Sequence, residues 1–336
     1  VLQADANPDK ETPPMPIPRR ALLAAPALLA PPALAQAPWP DRPLRLVVPF
    51  PGGSTPDIAG RAVATHYSQV LGQPCVVDNR AGAGGNIGTD AVAKATDGHT
   101  IGVSINGPLT TAPALFPNLP YDPARDLAPI SLLMRGGQLL VVRPDLPMRS
   151  LGEFLAAVKA SPGKYSFGSV GSGSGGHLAM MDLLARAGGE MLHVPYRGFP
   201  PAVVDLIAGR IDAMVIIAAG ILPQLREGQA RALAATAEAR IPQAPEVPTL
   251  AESGIADAAS YAWIGLIGPA SMPAERVAQL SAEAQRALAA PEARRALEAA
   301  GFEIMASSPE GLRAFMAAEA ERWGGLIRRL GIRAEA

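Results

Sequence analysis

From residue 44 onward the chain alternates short apolar runs, glycine-rich junctions and amphipathic segments. Residues 44–48 carry β-branched side chains and are bounded by prolines, which predicts a buried strand rather than a helix. Gly52 and Gly53 permit a sharp turn, Thr55 can cap a helix, Pro56 fits its first turn, and Asp57 complements its dipole. A strand, a glycine loop and a helix to about Leu71 are therefore expected in succession. The free N–H groups at such a helix start attract anions, and they lie at the carboxyl end of a strand, where open α/β sheets bind ligands.

The pattern repeats. Residues 74–78 predict a second strand, followed by the glycine-rich turn Asn79 to Gly88 and a helix to about Ala95. Residues 100–105 form a third strand, ending in Asn106-Gly107-Pro108 with a helix from Thr110 and Thr111. Residues 165–169 are a strand, and Val170-Gly171-Ser172-Gly173-Ser174-Gly175-Gly176-His177 then leads into an apolar helix over 178–187, echoing the first unit. Further strands are predicted at 192–195, 211–217 and 231–236, with helices at 201–208 and 221–227. Ser150 and Glu153 form a capping box for a helix to about Ala160. Residues 273–289, 292–300 and 309–330 have helical apolar spacing, with a short strand at 302–305. Two longer apolar segments, 130–143 interrupted by Gly136-Gly137 and 261–268, can pair as connections between two layers. The expected fold is α/β, a two-lobed clamshell. Each lobe is a mostly parallel sheet flanked by helices, joined by two crossing segments, with residues 36–138 and 262–336 in the first lobe and 139–261 in the second.

The residues before 36 have a different pattern. Met15 is followed by Arg19-Arg20, a short Ala/Leu/Pro run and Ala33-Leu34-Ala35, the layout of a secretory signal. Translation is expected to start at Met15, with residues 1–14 an upstream artefact and cleavage near Ala35. The paired arginines hint at twin-arginine export. The apolar run is too short and proline-broken to cross a bilayer as a stable helix.

Charge excludes some partners. Lys and Arg total 29 and Asp and Glu 30, for a formal net charge of −1. With no basic stripe, no nucleic-acid partner is expected. Cys75 is the only cysteine, so export brings no intrachain disulfide, and its apolar neighbours mark it as an inert core thiol.

Two enzyme classes leave traces. Gly171-x-Gly173-x-x-Gly176, between a strand and a helix, matches the dinucleotide fingerprint. The next strand nevertheless ends at Tyr196-Arg197 without the acid that would hold a ribose, and nicotinamide cofactors are cytoplasmic whereas this chain looks exported. Ser54, Ser172, Ser174 and His177 lie in glycine loops and suggest an exported hydrolase, but no serine has glycine at both flanking second positions, so the nucleophile elbow is absent. The histidines lack tight metal spacing and one cysteine cannot build a zinc cluster, so neither metal nor cofactor is expected. His177 is expected to cap or pack at the start of its helix.

Five motifs together resemble the Bug-type substrate-binding receptors of tripartite tricarboxylate transporters. They are Pro49-Phe50-Pro51-Gly52-Gly53-Ser54-Thr55-Pro56-Asp57, Asp78-Asn79-Arg80 with its glycine run to Gly88, Tyr121-Asp122-Pro123, His193-Val194-Pro195-Tyr196-Arg197-Gly198, and Val247-Pro248-Thr249-Leu250-Ala251-Glu252-Ser253-Gly254. The resemblance extends from Trp39 to Ile332. It implies a monomeric periplasmic receptor with two α/β lobes closing over a small carboxylate, no catalysis, and delivery to a separate membrane permease. It places Phe50 on the pocket wall with Gly52, Gly53, Ser54 and Thr55 on the first lobe's side, and Ser172, Gly173 and Ser174 opposite, near Tyr196, Arg197 and Gly198. Asn106, at a polar helix-starting loop, completes the expected site. Many relatives have phenylalanine where Ile211-Asp212-Ala213-Met214 is followed by Val215, so Val215 is expected to leave a smaller pocket wall.

Overall fold

The computed structural model describes residues 1, 39–299 and 301–334. The expected signal segment with its cleavage point, and nearly all of the stretch before it, lie outside the described residues. The first elements in chain order are β1 (Leu44–Val48), α1 (Thr55–Val70), β2 (Cys75–Asn79), α2 (Asn86–Ala93), β3 (Thr100–Ile105), α3 (Ala112–Leu115), α4 (Pro123–Asp126) and the long β4 (Leu127–Val142). There follow α5 (Leu151–Ala160), β5 (Ser166–Ser169), α6 (Gly175–Ala187), β6 (Leu192–Pro195), α7 (Phe199–Ile207), β7 (Ala213–Ile217), α8 (Leu222–Arg226) and β8 (Arg231–Ala235). The chain closes with β9 (Tyr261–Pro269), α9 (Ala274–Ala289), α10 (Pro291–Ala299), β10 (Phe302–Ile304) and α11 (Pro309–Leu330).

The strands form one mixed sheet in the order β2-β1-β3-β9-β4-β7-β5-β6, with β8 and β10 also paired to β4. Among the ten strands, parallel strand-to-strand pairing occurs in two three-strand groups, β2-β1-β3 and β6-β5-β7. Between them the pairing is antiparallel, because β9 runs opposite to both β3 and β4, and β7 opposite to β4. The mostly parallel sheets expected from the sequence are thus two parallel triads set on an antiparallel spine.

Gly136 and Gly137 do not interrupt that spine. Residue 137 pairs with Tyr261 of β9 and residue 138 with Ile217 of β7, so the glycines mark where β4 passes from one set of neighbours to the other. A Cβ on Gly136 would stand 2.7 Å from Ile217 Cδ1, and one on Gly137 2.9 Å from Ile241 Cδ1, so bare backbone lets flanking side chains cross the strand.

Sequence periodicity explains the packing. Leu44, Leu46 and Val48 of β1 are fully buried, and α1 turns Ala59, Val63, Ala64 and Tyr67, one helical face, into the same core. Tyr67 donates its hydroxyl to the Leu280 carbonyl at 2.6 Å, which docks α9 on α1. Cys75 sits in this core with its thiol pushed up to about 12 by burial, as suits an inert side chain. Ser308 caps α11 by accepting from the Gly311 N–H at 3.1 Å, and Gly331 ends the helix in the left-handed conformation. Trp323, Leu326 and Ile327 of α11 pack with Leu115 of α3 and Leu178 of α6, tying the last helix to both triads.

The expected helix start at Thr110 and Thr111 is instead a wide π-type turn, Gly107–Thr111, before α3. The Gly107 and Asn106 carbonyls accept from the Thr111 and Thr110 hydroxyls, which supports that wider turn.

Candidate functional site

In each parallel triad the central strand runs into a glycine loop and then a helix: β1 into α1, and β5 into α6. The two helix starts line one cavity through Ser54, Thr55 and Pro56 on one side and Ser174, Gly175 and Gly176 on the other. Ser54 and Ser174 are the N-cap residues, with nearly the same extended backbone (φ −72, ψ 161 and φ −64, ψ 156). An N-cap serine usually spends its oxygen on an N–H of the helix's first turn. Neither does so here. Both hydroxyls are buried and without a hydrogen-bond partner, and so is Gln138 Oε1, whose residue is 1% exposed and also lines the cavity. Unpaired buried polar atoms are costly unless something meets them, which makes these three groups, all lining the cavity, the candidates to meet a ligand.

The two helix starts are built differently. At α1, Asp57 accepts from the Gly53 N–H at 2.9 Å, from Arg61 at 2.8 Å and from Asn79 at 2.9 Å. Burial works against the Asp57 charge, but these hydrogen bonds, led by that of Arg61, outweigh it and hold the carboxyl below its usual range. At α6 there is no acid in the first turn; the Gly173 N–H donates to His177 Nδ1 at 3.1 Å. His177 therefore caps and packs, as its position suggested. Its ring lies 4.2 Å from that of His193, both stack near Phe167, and Ser169 Oγ lies 2.7 Å from His193 Nε2. Burial pushes His177 down to about 3, with help from His193, and His193 down to about 4, so both rings are neutral at ordinary pH.

Glycine at α6 answers a contact. A Cβ on Gly176 would stand 2.2 Å from the Val215 carbonyl, and one on Gly175 2.4 Å from Asn106 Nδ2. Gly173, at φ +83, brings its carbonyl to Thr111 Oγ1 at 2.9 Å, so the second loop is already latched against the turn after β3.

Of the expected residues, the cavity collects Phe50, Ser54, Thr55, Asn106, Ser174 and Gly198. Gly52 and Gly53 are exposed and stand outside it. Ser172, Tyr196 and Arg197 line a separate outer groove together with the Gly82 to Gly85 turn. Tyr196 gives its hydroxyl to Asp205 at 2.8 Å, and its pKa is pushed up to about 12 by burial and then by that carboxylate. Phe50 and Val170 line both spaces and form the partition between them. Gly173 lines neither space, its role being the latch just described.

Val215 is a correction: it is fully buried in the second triad's core, beneath Gly176, and does not reach the cavity. Its strand neighbour Ile217, beyond the helix start, does. Sequence reasoning missed Gln138 and the apolar wall of Met134, Phe199, Trp263, Ile264 and Phe302. Gln138 carries a signal in hindsight, being a lone amide in a long apolar strand just after Gly136-Gly137.

The cavity has no acid, base or histidine in its lining, and neither of its serines touches a base. Among the described residues no cluster of His, Cys, Asp or Glu could hold a metal ion, and no helix is long and apolar enough to cross a membrane.

Known proteins with this architecture point in one direction. The model of the tripartite tricarboxylate transporter family receptor matches residues 59–332. Protein BugT of Bordetella pertussis is 37% identical, over 87% of this chain and 90% of the relative. MatC of Rhodopseudomonas palustris, solved with malate, superposes with a TM-score of 0.81 at 33% identity over 86% of this chain and 99% of its own. An R. palustris protein solved with adipate superposes with a TM-score of 0.83 at 32% identity, over 88% of this chain and 99% of its own.

Proposed function

The chain belongs to the tripartite tricarboxylate transporter receptor family, and from that premise we propose that its cavity is the binding site for a small carboxylate. Members of the family are periplasmic solute receptors. On our reading this chain binds its solute between the starts of α1 and α6, performs no chemistry on it and hands it to a separate membrane permease. Ser54, Ser174 and the N–H groups at the head of α6 hold the carboxylate, while Phe50 and Asn106 shape the space around it. Tyr196, Arg197 and Ser172 line the approach. The observation that carries this reading is the pair of N-cap serines whose buried hydroxyls face one cavity unpartnered.

The malate and adipate seen in relatives set the size class tested first. Residues 36–138 with 262–336, and residues 139–261, are proposed to move as two lobes that open at Gly136-Gly137. The working form is proposed to be a monomer, exported and cut near Ala35. Refolded, ligand-stripped protein screened by thermal shift against mono-, di- and tricarboxylates tests the central point. A carboxylate present at 100 times its dissociation constant should add about 2.7 kcal/mol of stability. Turnover of a hit, or stabilisation only by non-carboxylates, would refute it.

A further inference from the structure

We infer that the solute is a monocarboxylate with an apolar body and a hydrogen-bond donor next to its carboxylate, such as a hydrophobic 2-hydroxy acid. This rests on the receptor reading above and sharpens it to a ligand class.

The first support is a count of positive charge. The lining contains no Lys, Arg or His. Arg135, beside Met134 on β4, is paired with Glu303 and stacked over Tyr261, and Arg61 is held by Asp57. Arg197 is exposed in the outer groove. What remains is helix starts, each equivalent to roughly half a unit charge when open. The α1 start already carries Asp57 and has Pro56 in place of one N–H donor. The α7 start, which reaches the cavity at Gly198 and Phe199, loses two more donors to Pro200 and Pro201. Of these three α-helix starts, α6 alone offers a full set of N–H groups with no acid in its first turn, and Ser174, 3% exposed and unpartnered, stands at its head. One open end, with Ser174 at its head and the Ser54 hydroxyl also lining the cavity, suits one carboxylate.

The far wall argues against a second. Trp263, Met134, Ile264 and Phe302 present carbon to the cavity. Trp263 has turned its one polar group away, donating its indole N–H to Glu319 on α11 at 3.0 Å. A second carboxylate placed there would lose its hydration and find no donor.

Gln138 supplies the remaining selectivity. Its Nε2 lies 3.5 Å from the Cβ position of Gly176, so the amide stands beside the α6 start rather than at the far wall. An amide offers a donor and an acceptor side by side whichever way round it is placed. The donor can share the carboxylate with α6, and the unpartnered acceptor then calls for a hydroxyl or ammonium on the adjoining carbon.

Calorimetry on the ligand-stripped full chain with 3-phenyllactate, 3-phenylpropanoate and malate separates the elements. Phenyllactate is expected to bind at least about tenfold more tightly than phenylpropanoate, the effect of one well-made hydrogen bond, and more tightly than malate, which replaces the ring by a second carboxylate. Gln138→Leu should weaken binding of both acids, through the donor lost to the carboxylate, but of phenyllactate more, so that the advantage of the hydroxyl disappears. Malate binding as tightly as phenyllactate, or tighter, overturns the inference and leaves the receptor reading standing. Equal affinity for phenyllactate and phenylpropanoate overturns the role of Gln138 and with it the donor requirement. Binding of none of these, nor of succinate or adipate, overturns both readings.

Discussion

The starts of α1 and α6 occupy equivalent places, each following the central strand of a parallel triad, yet they are stabilised in opposite ways. The α1 start is self-contained. Asp57 takes the Gly53 N–H, an arginine and an asparagine, and the glycines before it are exposed with open space around them. The α6 start is uncharged and lies against its surroundings, with Gly176 on the Val215 carbonyl, Gly175 on Asn106 and Gly173 on Thr111 and Leu115. A helix start that carries its own anion has less need of a ligand, and one without is left to be completed by the solute. On the proposed reading, equivalent topology therefore does not mean equivalent function: one loop frames the cavity and the other is aimed at what enters it.

The largest expected effect separates the glycines. Gly176→Ala would drive a methyl to 2.2 Å from a backbone carbonyl, which must shift α6, and should cost about 3 kcal/mol in denaturant unfolding. Gly52→Ala, with nothing within 4 Å, should stay within about 0.5 kcal/mol of the parent. Equal costs for the two substitutions would mean that the loops do not differ as described.

The serines come next. Ser174→Ala should weaken carboxylate binding by about 1.5–3 kcal/mol in calorimetry, the loss of a hydrogen bond to a charged group, whereas Ser54→Ala, at the start that already holds Asp57, should lose less. A reversed order would make α1 the anion-binding side.

A smaller effect appears in acid. Folded His177 and His193 resist protonation down to about 3 and 4, while unfolded histidine takes a proton near 6.5. The stability that neutral burial provides is complete above about pH 6.5 and is lost as the pH falls toward those folded values, by at most about 1.4 kcal/mol per pH unit for each histidine. The depressed Asp57 behaves otherwise. Its contribution persists down to about pH 3.9, the unfolded value, and fades only below it. Between these limits the α6 side weakens while the α1 side does not. His177→Asn keeps an acceptor for the Gly173 N–H but cannot titrate, so its unfolding free energy should fall less steeply from pH 6.5 to 4. An unchanged slope would show that the ring is protonated in the folded state.

The elements were legible because each is short, bounded by glycine or proline, and periodic. The strands at 44–48, 100–105 and 192–195, and the helix over 309–330, stand where the pattern placed them. Helix α6 begins at Gly175 rather than 178, since an unbroken glycine pair reads as loop until one knows that a carbonyl lies against it. Strand direction was not legible either. Residues 261–269 have the same apolar pattern whichever way they pair, and only the finished sheet sets β9 between β3 and β4. Of the residues that line the cavity, Ser54, Thr55 and Ser174 at helix starts were expected from the sequence, and those on the spine were not. Gln138 lies in a run whose hydrophobicity says only that it is buried, and Val215 was placed by resemblance although a helix covers it.

The position of β9 also governs the order in which this chain can be completed. A strand that ends at Pro269 separates two others that end at Ile105 and Val142, so neither β3 nor the first half of β4 has its neighbour until most of the chain has been made. During that interval both present an unpaired apolar edge, the kind that recruits a strand from another molecule. A nascent or newly exported copy of this protein is thus a different substance from the finished one, adhesive along the same seam that later holds it together. The late arrival of nine residues, Tyr261–Pro269, is what converts it.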